Sequence, residues 1–396
     1  MAVGVCYPKG FSAGTAACGM KRSGKADLAL VVSDRPAAAA GVFTTNRVVA
    51  APVTVSRAQI RAGSARAIVT NAGNANACTG RDGLRDAWTM VAETARGLGV
   101  ADSEVLVAST GVIGRRLPID DVVAGIGRAT AGLTATHGRQ AANAIRTTDT
   151  FPKLGHSSLE IGGGVARVGG MAKGAGMIRP DMATTLGQIT LDAAVAPAAL
   201  RSMLRHAVSG SFNAISIDGC TSTNDCLFLL ANGASGVVVD TPAALRKLAD
   251  AVAELALELA RQVVRDGEGT TRVATYMVTG AASAADARAA ARGVAENVLV
   301  KCALHGADPN WGRMLAALGA AGVELDPDRV AVAVGGVPIV RQGAGLNGDL
   351  ADRAAKLLSQ PEVEIQIDLG LGEGEAQVIA SDLSPGYVHF NSAYTT

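Results

Sequence analysis

Met171-Ala-Lys-Gly-Ala-Gly-Met-Ile-Arg-Pro-Asp-Met-Ala-Thr184-Thr-Leu186 is the stretch on which the reading of this chain turns. It follows one strand pattern and precedes another, Gly187–Leu191, so a glycine-rich loop carrying Pro180 joins two strands. A threonine hydroxyl is a weak nucleophile unless a base sits beside it. A chain cut just before Thr184 acquires an α-amine of pKa about 8, within reach of its own hydroxyl. A glycine-rich, strained loop is what such self-cleavage needs, because the hydroxyl must approach the preceding carbonyl.

Outward from this loop, strands and helices alternate loosely. Apolar runs at Leu28–Val32, Ala67–Thr70 and Val105–Ala108 read as buried strands, and Ser158–Gly170 as a hairpin around Gly162-Gly163-Gly164. Spaced apolar residues mark helices at Asp86–Leu98, Asp120–Ala131, Gln140–Thr147, Pro197–Val208 and Ala243–Arg265. Further on, Val273–Val278 is strand-like and Asp286–Leu304 reads as one long Ala-rich helix. Strands at Val330–Val334, Glu362–Leu369 and Glu375–Ala380, with a helix at Asp349–Leu358, complete the pattern, and neighbouring strands here are expected to pair directly. The fold class is α/β (α+β), in layers with mixed sheets, and not a strict parallel barrel.

Composition excludes several functions. The 396 residues carry 36 Lys+Arg against 35 Asp+Glu, a net charge of +1, whereas nucleic-acid and anionic-membrane surfaces rest on a concentrated basic face. Aromatics are only 3% while glycines number 48, so the core is built from Ala, Val, Leu and Ile, with many tight turns. Cys6, Cys18, Cys78, Cys220, Cys226 and Cys302 form no Cys-x-x-Cys pair and do not cluster with His at zinc spacings. They are expected to be packing residues, with no metal site. The start of the chain lacks a basic segment followed by an apolar run, and no apolar stretch is long enough to span a membrane. Reduced thiols and a cytoplasmic location are expected. Gly174-x-Gly176 continues to Arg179, and Gly370-x-Gly372 to Glu375, where a dinucleotide fingerprint requires a third glycine. No P-loop is present, so nucleotide cofactors are not expected.

The signature Lys173-Gly-Ala-Gly-Met-Ile-x-Pro-x-Met-Ala-Thr184 closely resembles that of the ornithine acetyltransferases, the bifunctional arginine-biosynthesis family whose threonine nucleophile arises by autoproteolysis. Further blocks resemble the family in order along the chain: Gly41-Val-Phe-Thr-Thr-Asn46, Asn74-Ala-Asn-Ala-Cys-Thr-Gly80, Ser109-Thr-Gly-Val-Ile-Gly114 and Thr147-Thr-Asp-Thr-Phe-Pro-Lys153. The second half adds Thr221-Ser-Thr-Asn-Asp225, Gly267-Glu-Gly269, Asp308-Pro-Asn-Trp-Gly-Arg313 and the ending Asn391-Ser-Ala-Tyr-Thr-Thr396.

The resemblance implies a layered α/β/β/α sandwich of the ornithine acetyltransferase and DmpA-like type. It implies cleavage between Ala183 and Thr184 into an α chain, 1–183, and a β chain, 184–396, assembled as an α2β2 heterotetramer. Thr184 would be nucleophile and, through its α-amine, base; Thr110 and Gly111 would form the oxyanion hole. Substrate contacts would fall on Thr147 (or its neighbour Thr148), Lys173, Thr184, Glu268, Asn391 and Thr396. By charge, Lys173 suits a substrate carboxylate and Glu268 the ornithine ammonium. The reaction implied moves the acetyl group of N2-acetylornithine to glutamate by a ping-pong route, without a cofactor, acetyl-CoA being a possible second donor. An amidohydrolase or aminopeptidase relative, a secondary-metabolism paralogue and a non-catalytic binding protein are the alternatives. The Asp308–Arg313 block is expected to support the site structurally. Family members often carry Asp at position 220 and Thr at 226, so Cys220 and Cys226 are departures expected to affect packing alone.

Overall fold

The computed structural model describes residues 1–179, 185–346 and 348–393. The first part of the chain runs β1 (Phe11–Ala16), β2 (Leu28–Phe43), α1 (Ala51–Gln59), β3 (Ser64–Asn74), α2 (Gly80–Leu98), β4 (Val105–Val112), α3 (Ile119–Ala131), α4 (Gly138–Ala144), β5 (Lys153–Ile161) and β6 (Gly164–Lys173). It continues with β7 (Leu186–Leu191), β8 (Ala194–Val195), α5 (Pro197–Ser209), β9 (Ile215–Ser216), β10 (Cys226–Ala231), β11 (Val238–Val239) and α6 (Pro242–Arg265). The remainder is β12 (Val273–Ala281), α7 (Ala284–Ala295), α8 (Val298–His305), α9 (Trp311–Gly319), β13 (Ala331–Val334), β14 (Val337–Arg341), β15 (Ala344–Gly345), α10 (Asp349–Leu358), β16 (Glu362–Asp368), β17 (Gly374–Ser381) and α11 (Pro385–Ala393).

The main sheet has the order β4-β3-β2-β10-β7-β6-β5, with β1 added beside β2. Strand β2 belongs to two layers. Its Leu28–Val32 part pairs with β3, and its Ala38–Phe43 part pairs with β10. Between them the register slips opposite β3, and Asp34, Arg35 and Pro36 are exposed. This bulge bends the strand and folds the sheet into two facing layers.

Alternation along the strands divides the core accordingly. Ala29, Val31, Ile68 and Leu106 meet Met171, Leu186, Phe228 and Leu230 between the layers. On the outer face of one layer, Leu28, Leu30, Val69 and Val107 pack on Met90 and Val91 of α2 and Val122 and Ile126 of α3. On the outer face of the other, Val168, Ile189 and Leu229 pack on Leu200 and Leu204 of α5 and Leu255 and Leu259 of α6. The order is α/β/β/α, as expected. Each Leu or Ile so buried contributes about 1.5–3 kcal/mol of transfer free energy.

The C-terminal part builds a second sheet, β15-β14-β13-β16-β12-β17-β9, with its own core around Tyr276 and the inner faces of α7, α8, α9 and α10. Here the sequence reading needs correction. Glu362–Asp368 pairs with Ala331–Val334 directly, but not with Gly374–Ser381, because β12 lies between the last two strands. The single helix expected over Asp286–Leu304 is two helices. Asn297 accepts from the N–H groups of Leu299 and Val300 at 3.0 and 3.2 Å, so it caps a new helix and ends the old one. Among the described residues no helix is long and apolar enough to cross a membrane.

Candidate active site

β4 and β6 end, and β10 begins, around one cavity of about 200 Å³. Its wall brings together Thr110, Gly111, Thr147, Thr148, Lys173, Glu268 and Asn391, which lie far apart in sequence. Ala183, Thr184 and Thr396 lie outside the described residues.

Thr110 and Gly111 stand on the last turn of the pleat of β4, beside Asn74 and Gly73 of β3, where the register slips. Gly111 has φ +129°, and a Cβ there would collide with the Gly73 backbone. Only glycine fits this crossing, and it leaves main-chain groups facing the cavity without a side chain over them. The turn is braced from behind. Ser109 Oγ donates to Asn71 Oδ1 at 2.5 Å, and Asn224 Nδ2 donates to the carbonyls of Ser109 and Ala75.

Opposite, Lys173 pairs with Leu186 on β7, and Leu186 pairs in turn with Cys226 on β10. The residues stepping off these strands are therefore Gly174, Thr185 and Asp225. Thr185 has φ +148°, which is strained for a β-branched residue. Its carbonyl accepts from Cys226 N–H at 3.2 Å. Burial lowers the Lys173 pKa, while Asp149 and Asp225 oppose that change. Burial also pushes the Asp225 carboxyl up to about 8, against the pull of Lys173, and its Oδ2 has no partner among the described residues. Asp149 shows the reverse balance. Burial disfavours its charge, but Lys153 and Lys173 hold it at about 2.

Glu268 follows α6, and its N–H donates to the Ala175 carbonyl at 2.8 Å. Its Oε2 accepts from Asn391 Nδ2 of α11 at 3.1 Å. A Cβ at Gly176 would strike the Glu268 carboxylate, so this glycine gives the acid its place in the wall. Among the described residues the cavity wall offers one cation, Lys173, the carboxylates of Glu268 and Asp218, and several neutral hydrogen-bonding groups, a set that suits an amino acid with an ammonium side chain.

The sequence reading missed several supports. Asp218 accepts from the N–H groups of Met177 and Ile178 at 2.6 and 2.9 Å and so pins the glycine-rich loop. Tyr387 of α11 lines the cavity, and burial followed by Asp218 raises its phenol pKa. An acid next to glycine in Ile217-Asp-Gly219 is the turn signal that marks Asp218. Two expectations need correction. Cys6, Cys18 and Cys226 are buried, but Cys78, Cys220 and Cys302 are exposed, and Cys220 lines the cavity instead of packing. The Asp308–Arg313 block lies apart from the cavity. Asn310 caps α9, Trp311 covers Gly345, and Arg313 Nη1 donates to the Leu299 carbonyl at 3.0 Å, so the block braces the C-terminal unit. Among the described residues no His, Cys, Asp and Glu cluster could hold a metal.

A model of the ArgJ family matches residues 12–396. The chain belongs to the ArgJ family. The arginine biosynthesis bifunctional protein ArgJ of Symbiobacterium thermophilum is 49% identical to it, over 100% of this chain and 99% of that protein. The ArgJ protein of Geobacter sulfurreducens, of the same name, is 45% identical over 98% of this chain and 99% of its own length. A crystal structure of ornithine acetyltransferase from Mycobacterium tuberculosis in complex with ornithine matches at 42% identity, covering 45% of this chain and 95% of that one with a TM-score of 0.42. In this ArgJ-family chain, the matched span takes in every element around the cavity.

Proposed function

We propose that the chain cuts itself between Ala183 and Thr184 and then transfers acetyl groups from N2-acetylornithine to glutamate. The observation that carries this reading is the convergence of Thr110, Gly111, Thr147, Lys173, Glu268 and Asn391 on the cavity bordered by the loop that leads to Thr184. The names of the ArgJ relatives, which place them in arginine biosynthesis, support it.

In self-cleavage, Thr184 Oγ attacks the Ala183 carbonyl and the peptide nitrogen leaves as the Thr184 α-amine. Water then hydrolyses the ester, leaving 1–183 with a new carboxylate and 184–396 with a free amine. In turnover, that amine takes the proton from Thr184 Oγ as it attacks the acetyl carbon. Thr110 and Gly111 supply donors to the oxyanion. The proton passes to the leaving α-nitrogen, ornithine departs, and Thr184 holds the acetyl group as an ester. The α-amine of glutamate attacks this ester in the same site, giving N-acetylglutamate and restoring the hydroxyl. Lys173 binds the substrate carboxylate, and Glu268, held by Asn391, binds the ornithine ammonium; Thr147 and Thr396 complete the contacts. One site for donor and acceptor in turn gives ping-pong kinetics.

The activities are glutamate N-acetyltransferase and, with acetyl-CoA as donor, amino-acid N-acetyltransferase; the cut chains assemble as an α2β2 heterotetramer. Mass spectrometry of the purified protein tests the first step. Fragments ending at Ala183 and beginning at Thr184 are expected, and Thr184→Ala protein stays whole. A wild-type chain that remains intact and still transfers acetyl groups would falsify the mechanism. Glutamate acetylation measured with each donor alone separates the two activities.

A further inference from the structure

We infer that Asp149 is a positioning residue for the Lys173 side of the cavity: its one carboxylate ties together the Thr147 loop, the end of β6 and a buried ammonium, and supplies the counter-charge to Lys173. The inference rests on the proposed role of Lys173 as the group that binds the substrate carboxylate.

Asp149 is 5% exposed and does not line the cavity, so it acts through others. Its Oδ2 accepts from the N–H of Thr147 at 2.9 Å. Its Oδ1 accepts from the N–H of Gly174 at 2.8 Å and from Lys153 Nζ. Lys153 is wholly buried and also donates to Asp266. Asp266 accepts from Thr150 N–H at 2.9 Å and from the Thr150 hydroxyl. It stands two residues before Glu268, whose own N–H is bonded to Ala175. One connected set of charge-assisted bonds therefore joins the segments bearing Thr147, Lys173 and Glu268. Such networks are strong when every member is satisfied, and costly when one partner is removed.

Charge gives this network a second role. Asp149 and Asp266 place two carboxylates around the Lys153 ammonium, leaving a surplus negative charge beneath the cavity floor. Lys173 balances it. The groups facing Lys173 are Asp149 on the loop after α4, Asp225 before β10, Lys153 on β5 and Glu268 after α6. Asp149 is foremost among the carboxylates that oppose the desolvation of Lys173. Without its charge, the Lys173 ammonium loses its proton at lower pH and no longer attracts a carboxylate.

Asp149→Asn keeps the shape and removes the charge, so the Lys153–Asp266 pair is left neutral and Lys173 loses its balancing charge. The double variant Asp149→Asn with Lys153→Met removes one charge of each sign, so Asp266 again leaves one surplus negative charge to balance Lys173. In the single variant, KM for glutamate is expected to rise about tenfold, a loss of about 1.4 kcal/mol. Its alkaline limb of kcat/KM is expected to move down by about 1–3 pH units, and that of the double variant to return toward the wild-type position. The fraction cut at Ala183–Thr184 is expected to stay at the wild-type level. A single variant that is folded and cut, with an unmoved alkaline limb, overturns the inference, because a merely structural brace has no such limb to move. A double variant whose limb falls as far as that of the single variant overturns it too. Calorimetric binding of glutamate to Thr184→Ala protein, with and without Asp149→Asn, reads the subsite apart from the nucleophile. An unchanged pH dependence there overturns the inference while the Thr184 reading stands. A shifted dependence beside an uncut, inactive wild type overturns the Thr184 reading alone.

Discussion

Asn224 crosses the seam between the two β-layers to hold Ser109: its amide donates to the Ser109 carbonyl at 2.9 Å and to the Ala75 carbonyl at 2.6 Å. Ser109 immediately precedes Thr110, so a side chain from beside β10 sets the stance of the proposed oxyanion donors on β4. Asn224→Ala leaves both buried carbonyls short of a donor, at about 1–3 kcal/mol of stability. It is expected to lower kcat more than it raises KM, with a fall in Tm; steady-state kinetics and thermal melting check both.

Gly111→Ala tests the same corner from the main chain. The substitution forces a Cβ into Gly73 at a φ of +129°, so β3 and β4 must part. Loss of an aligned oxyanion donor costs about 100–1000-fold in kcat. Gly114→Ala is the control, because it too has a positive φ, +80°, but faces open space. Only backbone strain of about 1–2 kcal/mol is expected there, with transfer activity retained.

The Asp225 carboxyl has a pKa raised from 3.8 to about 8, first by burial and against the pull of Lys173. Its protonated form is the one the fold prefers. The stability it contributes is complete below the unfolded value and is lost as pH rises toward the folded one. Asp225→Asn mimics the neutral form throughout. Its Tm relative to wild type is therefore expected to increase from pH 5 to pH 8, and a difference independent of pH rules this account out.

Cys220 places a thiol on the cavity wall, with its pKa raised by burial and by Asp218. N-ethylmaleimide is expected to react slowly at neutral pH, faster at alkaline pH, and to abolish transfer by filling the cleft. Glutamate is expected to protect, and Cys220→Ser protein to be indifferent although Cys78 and Cys302 remain exposed. Peptide mapping of the modified protein identifies the site.

Local pattern carried the elements, and motifs carried the cavity. Periodicity located α2, α3, α5 and α6 because each presents one apolar face to a sheet. It did not reveal β10, whose Cys226–Ala231 residues are buried on both faces and show no alternation. Nor did it reveal the fold-back of β2, which depends on a slip against β3 distant in sequence. Thr110, Lys173 and Glu268 were legible as motif positions with a role, whereas Asp149 lay within the Thr147–Lys153 block without one and Asp218 lay outside every block. Those two act by accepting main-chain N–H groups, and only folding decides which ones.

The strand order β2-β10-β7-β6 has a further consequence for a chain cut after residue 183. Strands β10 and β7 come from the later piece, yet each lies hydrogen-bonded against a strand of the earlier one. In the layer β2-β10-β7-β6-β5 the pieces are interwoven, like fingers of two hands, and neither owns that layer whole. Severing the backbone therefore leaves the assembly intact, because the sheet itself holds the pieces together. Made separately, each piece would present raw strand edges and an incomplete core, so the proposed cut would have to follow folding of the whole chain.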